Sequence, residues 1–106
     1  ALGVFGYSFL DQNSDTIQGS MVDGALPTFE NIADGTYKVS RPLYFYVKNA
    51  HASSIPGVKQ YVREFTSKGA IGQSGYLSDK GLIPMPNSEY KEFASAGKKL
   101  TPLMGL

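Results

Sequence analysis

Cysteine and tryptophan are absent, histidine occurs once, and no block of like charge is longer than Lys98-Lys99. Without cysteine there is no disulfide scaffold, no thiolate zinc site and no cysteine nucleophile. A single histidine leaves little from which to build a transition-metal site. The longest nearly apolar stretch, Ala1 to Leu10, is too short to cross a bilayer. Neither an initiating Met nor a basic leader precedes it, so no signal peptide is expected. The chain opens inside an apolar run, with no polar turn before it, and so reads as processed or excised.

What is present is the composition of a modest globular domain. A length of 106 residues allows one domain, or part of one. Folded alone, such a chain is expected to bury roughly 65% of its extended surface. Gly and Pro together make up about 17% of the chain, against a usual ~12%, so loops should be many. Ten Lys/Arg against nine Asp/Glu give a net charge of +1. That balance hides an asymmetry. Residues 1–37 hold five acids and no Lys or Arg, whereas residues 38–106 hold ten bases and four acids. Spread singly, those bases read as solvated helix faces.

Leu2 to Phe9 reads as a strand or buried turn, and Asp11 to Asp15 as a polar turn. Ile17 to Val22 reads as a short strand. Thr28 is placed to cap a short helix, Phe29 to Ala33, with Gly35 just past its end. Pro42 to Val47 carries the strongest strand signal. Leu43, Phe45 and Val47 fall on one face, Tyr44 and Tyr46 on the other, which suits a strand covered on both sides. Val58, Tyr61, Val62 and Phe65 form one helical stripe. Gly69 is expected to close that helix, and Gly72 to Gly75 to form a mobile surface loop. Ser88 is expected to cap a last helix, Glu89 to Ala96, with Tyr90, Phe93 and Ala94 inward and Gly97 as its stop.

Several motifs point toward chemistry and fall short of it. Asp11-Gln12-Asn13-Ser14-Asp15 begins like a calcium loop. Thr16 stands where the sharp turn needs Gly, and Val22 where a bidentate Glu is needed. His51 has no Gly-x-Ser-x-Gly elbow to serve. The Gly69 to Gly75 stretch lacks the spacing of a phosphate cradle. Aromatics sit at core spacings instead of interleaving with bases, which argues against nucleic acid. No catalytic residue, metal ligand or cofactor is assigned. A phosphate-ester hydrolase using His51 is the alternative, and a ligand-free structural or interaction module a third reading.

Three stretches carry a resemblance when taken in order. They are Leu2 to Leu10, Pro27 to Tyr37 leading into Ser40-Arg41-Pro42-Leu43-Tyr44-Phe45-Tyr46-Val47-Lys48, and Gly75 to Pro86, with the helix Val58 to Phe65 between. Together they resemble the carboxy-terminal third of the phosphate-binding, PstS-like solute-binding proteins of bacterial ABC transporters. The resemblance implies an α/β fold, the C-terminal part of a two-lobed type II periplasmic-binding-protein architecture. Residues 1–38 would be a remnant of the second lobe, 39–48 the hinge-crossing strand, and 49–106 the C-terminal part of the first lobe.

It also implies a periplasmic or surface-anchored protein that captures inorganic phosphate for an ABC permease, without catalysis. The Arg-x-x-x-Ser-Gly-Thr stretch that helps grip the anion in that family is not in this sequence. No phosphate ligand is therefore carried over. At most, Gly6, Tyr7, Ser40 and Arg41 lie at the cleft or hinge edge. A segment cut across two lobes should leave Tyr44, Tyr46, Tyr61 and Phe93 partly exposed. It should then pair with the missing N-terminal part of the same protein or with copies of itself.

Overall fold

The structure, a computed structural model, describes residues 1–104. Its order is α1 (Tyr7–Gln12), α2 (Phe29–Ala33), α3 (Asn49–Ala52), α4 (Val58–Phe65), α5 (Lys68–Ile71), a 3₁₀ turn (Ser78–Lys80) and α6 (Asn87–Lys99). Among the described residues there is no β-strand; a single antiparallel bridge joins Val22 and Ala25. The two expected N-terminal strands are thus replaced by α1 and by irregular chain. Tyr7 to Leu10 are helical and wind on through Asp11 and Gln12, so the polar turn begins only at Asn13. Residues 41–48 hold neither helix nor strand. A strand needs a neighbour for its backbone groups, and among the described residues those of 41–47 have none.

Local signals explain the helices. The Thr28 hydroxyl accepts from the Asn31 N–H at 3.2 Å and starts α2, as its sequence position implies. The Ser67 hydroxyl likewise accepts from the Ala70 N–H at 3.2 Å. That cap starts a fresh helix at Lys68, so Gly69 lies within α5 and does not close α4, which ends at Thr66. Gly57, at φ 92°, supplies the left-handed turn into α4. Helix α6 runs through Gly97 to Lys99 and ends at Leu100, itself left-handed at φ 52°. The Leu100 carbonyl accepts from the Asn49 side-chain amide at 2.9 Å, which ties the end of α6 to α3.

Packing centres on α4. Val62 is only 3% exposed, and Ala52, Ala70 and Ile71 are buried from the neighbouring helices. Thr66 is buried too, its hydroxyl donating to the Val62 carbonyl at 2.8 Å. A Cβ on Gly97 would stand 2.9 Å from Thr66 Cγ2. Gly97 is therefore a site of close helix approach, which is why α6 carries it in mid-course. Tyr90 and Ala94 turn partly inward as expected, while Phe93 stays exposed. Gly72 and Gly75 are buried, and a Cβ on either would strike the carbonyl of Lys68 or of Ala70. Tyr76 N–H donates back to the Gly69 carbonyl at 2.9 Å. The expected surface loop is instead a tight turn folded against α5.

The chain buries less than a domain of its size should. Its accessible surface is 8300 Å². A compact monomer of 11.5 kDa exposes about 5,800 Å², and its extended chain about 16,700 Å². Half of the extended surface is therefore covered, not two thirds. The radius of gyration is 16.4 Å, against about 13 Å for a compact chain of this length. The excess is apolar in large part. Tyr44, Tyr46, Tyr61 and Phe93 are all exposed, as the resemblance implies, and so are Leu43, Phe9 and Met104.

Candidate functional site

Among the described residues, two clefts stand out on the surface. The larger, of about 500 Å³, lies between residues 45–48 and the α3–α4 helices. Phe45, Tyr46, Ile55 and Tyr61 line it, with Lys48 and His51 at its polar side. Phe45 meets Phe65 edge-on at 4.6 Å, and Tyr61 stacks on Phe65 at 6.1 Å. The Phe45–Phe65 contact holds the chain before α3 against α4, and the Tyr61–Phe65 stack lies within α4 itself. No carboxylate and no serine lines this cleft, and among the described residues the His51 imidazole makes no hydrogen bond. The relay that a histidine-dependent hydrolase needs is not assembled around His51.

The smaller cleft, of about 270 Å³, lies between α1 and the 3₁₀ turn. Tyr7, Ser8 and Asp11 face it from α1, and Ser78 and Asp79 from the turn. Gly81, left-handed at φ 88°, lets this turn close on Ser8, whose Cβ would collide with any side chain there. The Ser78 hydroxyl is buried without a hydrogen-bond partner. Partial burial pushes the Tyr7 phenol above its ordinary value, and the carboxylates of Asp11 and Glu30 push it the same way. Two carboxylates and no cation line the cleft, a field that disfavours a dianion.

The four expected edge residues are dispersed relative to these clefts. Tyr7 lines the smaller one, with Gly6 just before it as the N-cap of α1. Ser40 donates its hydroxyl to the Tyr37 carbonyl at 2.6 Å, and Arg41 is exposed. Neither Ser40 nor Arg41 lines either cleft. Sequence reasoning did not single out Ser78 or Asp79. Their signal was Gly81, whose neighbours are drawn together because it has no side chain.

Comparison with known proteins decides the family. The model of the PBP superfamily domain matches residues 1–68. The chain belongs to the PBP superfamily. Among curated proteins it is similar to the phosphate-binding protein PstS of Staphylococcus saprophyticus, 30% identical over 98% of this chain and 32% of that protein. Likeness to PstS of Staphylococcus haemolyticus is 31% over 86% of the chain and 29% of the relative. With phosphate-binding protein PstS 2 of Streptococcus agalactiae it is 29%, over 93% and 35%. The chain spans about a third of the length of the curated relatives it matches. No solved structure matches it. The resemblance read from the sequence is thus upheld across nearly the whole chain.

Proposed function

We propose that these residues are part of an extracytoplasmic solute-binding protein that captures inorganic phosphate and presents it to an ABC permease. The observation that carries this reading is the similarity to phosphate-binding proteins over 98% of the chain. The part played by this segment is structural and not catalytic. Residues 1–38 belong to one lobe, 39–48 cross as the hinge strand, and 49–106 belong to the other lobe of an α/β two-lobed fold. Gly6, Tyr7, Ser40 and Arg41 stand at the edge of the cleft between the lobes, and the anion is gripped by residues outside this chain. The cleft that Tyr7 lines holds two carboxylates and no cation, which supports that division, because a phosphate dianion needs fixed donors or positive charge. The surplus apolar surface supports pairing with the N-terminal remainder; association between copies is the other way to cover it, and light scattering separates the two.

The test is calorimetric titration of the longer protein, made from the gene that encodes these residues, with inorganic phosphate. Saturable heat and a phosphate-dependent rise in melting temperature are expected, with neither from the 106-residue chain alone. A longer protein that gives no heat and no rise overturns the reading in favour of a ligand-free interaction module. Turnover of a chromogenic phosphate ester that is lost in His51→Ala overturns it in favour of a hydrolase.

A further inference from the structure

We infer that two copies of this chain pair through Leu43-Tyr44-Phe45-Tyr46-Val47, antiparallel about a two-fold axis at Phe45, wherever no other polypeptide covers that segment. The inference depends on neither phosphate nor a two-lobed fold. Among the described residues, no N–H or C=O of residues 41–47 takes part in any hydrogen bond. None of these residues is in the left-handed region, so nothing blocks an extended form. The segment is uncharged, free of Gly and Pro, and β-favouring throughout. Both sets of alternating side chains are exposed: Leu43 at 78% and Phe45 at 44%, Tyr44 at 67% and Tyr46 at 75%. Phe45 meets Phe65 of α4 edge-on, and that contact leaves it open to a further ring.

The flanking residues decide the occupant and the register. Arg41 and Lys48 bracket the segment. A parallel in-register pair would set Arg41 opposite Arg41 and Lys48 opposite Lys48, and like charges directly opposite destabilise a ladder. Antiparallel pairing about Phe45 is the register in which the whole segment overlaps its own copy. It sets Leu43 opposite Val47, Tyr44 opposite Tyr46, and Phe45 opposite the second Phe45. Lys48 then falls opposite Pro42, and Arg41 opposite Asn49, so no like charges meet. The segment is self-complementary in this register, and its aromatic pairs are of the stabilising kind.

The backbone decides the edge. Alternate residues of a strand turn their N–H and C=O groups to opposite edges. Leu43, Phe45 and Val47 serve one edge, and in this register each sits in a pair that exchanges both bonds. Pro42, Tyr44 and Tyr46 serve the other edge, where Pro42 has no N–H to give. The intact edge is used and the defective one stops further growth, so the product is a closed dimer and not a fibre. The area permits it. The chain exposes about 2,500 Å² more than a compact monomer of its mass, whereas one partner in a standard interface covers about 800 Å². Ile55 and Tyr61, exposed along the cleft that Phe45 and Tyr46 line, widen the patch. Pairing follows concentration, so dilution reopens the segment.

The test is sedimentation of the 106-residue chain, with disulfide trapping to fix the register. At tens of micromolar the chain is expected to sediment at about twice 11.5 kDa. It has no cysteine of its own, so single Tyr44→Cys and Tyr46→Cys variants report cleanly. Positions 44 and 46 of opposite copies form a non-hydrogen-bonded pair with Cα atoms about 4.5 Å apart, within disulfide reach. Position 44 and its own copy are diagonal, about 7–8 Å apart and outside that reach. A mixture of the two variants is therefore expected to cross-link at least ~100-fold faster than either alone, paired thiols being at millimolar local concentration. Tyr44→Lys/Tyr46→Lys, which opposes like charges, should sediment as a monomer with its helical circular dichroism intact. Tyr44→Glu/Tyr46→Lys, which opposes unlike charges, should stay paired. A monomer at every concentration, species that grow without limit, or single variants that cross-link alone as fast as the mixture each overturn the inference and leave the proposed function standing. Cross-linking of the same mixture made in the longer protein upholds the pairing and removes the hinge-strand reading instead. Pairing of the 106-residue chain alongside a longer protein that binds no phosphate removes only the phosphate reading.

Discussion

Asp34 shows how much a single exposed side chain can organise. Just past α2, its carboxylate is held below the ordinary range, first by the Thr36 hydroxyl and then by the Thr36 N–H, which donates to it at 2.8 Å. A carboxyl whose folded value is lowered contributes stability above its unfolded value, near 3.9, and loses it as the pH falls through the folded value. NMR titration of Asp34 should therefore give a midpoint below that of Asp in an unfolded peptide, and Thr36→Val should raise it. The helix caps are the second residue-scale device. Thr28→Ala and Ser67→Ala should each cost about 1 kcal/mol, read as a lowered urea midpoint. Replacement by Asn at either position should leave the midpoint nearly unchanged, since its side-chain oxygen can accept the same bond.

At the scale of elements, α4 and α6 depend on a missing side chain. Gly97→Ala would gain about 1 kcal/mol of helix propensity. It would also set a Cβ 2.9 Å from Thr66 Cγ2, and overpacking of that kind costs roughly 1–3 kcal/mol. Thr66 is buried and bonded to the Val62 carbonyl, so it yields little and the clash wins. A lower melting temperature for Gly97→Ala is expected, with a larger fall for Gly97→Val; a rise in either would mean that the helices part freely. Val62→Ala should cost about 2 kcal/mol.

These elements also show what could be read from sequence. Helix α2 and the start of α4 are legible to the residue because their signals are local, a hydroxyl cap in one and a stripe at i, i+3, i+4, i+7 in the other, whereas the end of α4 precedes the expected Gly69 because the Ser67 cap starts α5. The end of α6 is not legible, because Gly97 answers to Thr66, a neighbour at the end of α4 that lies 31 residues before it in sequence. Nor are the glycines around Gly72 legible, whose role is set by carbonyls that the fold brings near. The strand at residues 42–47 is legible in composition yet unrealised, since hydrogen-bonded partners decide a strand and composition only permits it. In the cleft that Tyr7 lines, Ser78 and Asp79 are brought in by the close approach at Gly81, which no local sequence signal announces.

The whole molecule is better described by what it leaves uncovered than by what it buries. Its surface and its radius of gyration both exceed those of a compact domain. The 106-residue chain should therefore bind a hydrophobic dye such as ANS strongly. Its urea m-value should fall short of that of a compact protein of equal length, because less surface is exposed on unfolding. A full-sized m-value with no dye binding would show the surface to be covered already.

The stretch from Arg41 to Lys48 has one more consequence, and it concerns cutting. Among the described residues no hydrogen bond joins residues 1–40 to residues 49–104. The two parts are linked by this stretch, whose residues 41–47 make no backbone hydrogen bond, and by the closure of the 3₁₀ turn on α1 around Gly81. Proteases need about this length of free backbone in their active sites, and this one offers Tyr44, Phe45 and Tyr46 to chymotrypsin and Lys48 to trypsin, the Arg41–Pro42 bond being resistant. Limited digestion of the dilute 106-residue chain should accordingly give first a pair of fragments divided there. The longer protein, in which this stretch is proposed to be the hinge strand, should resist at the same enzyme ratio.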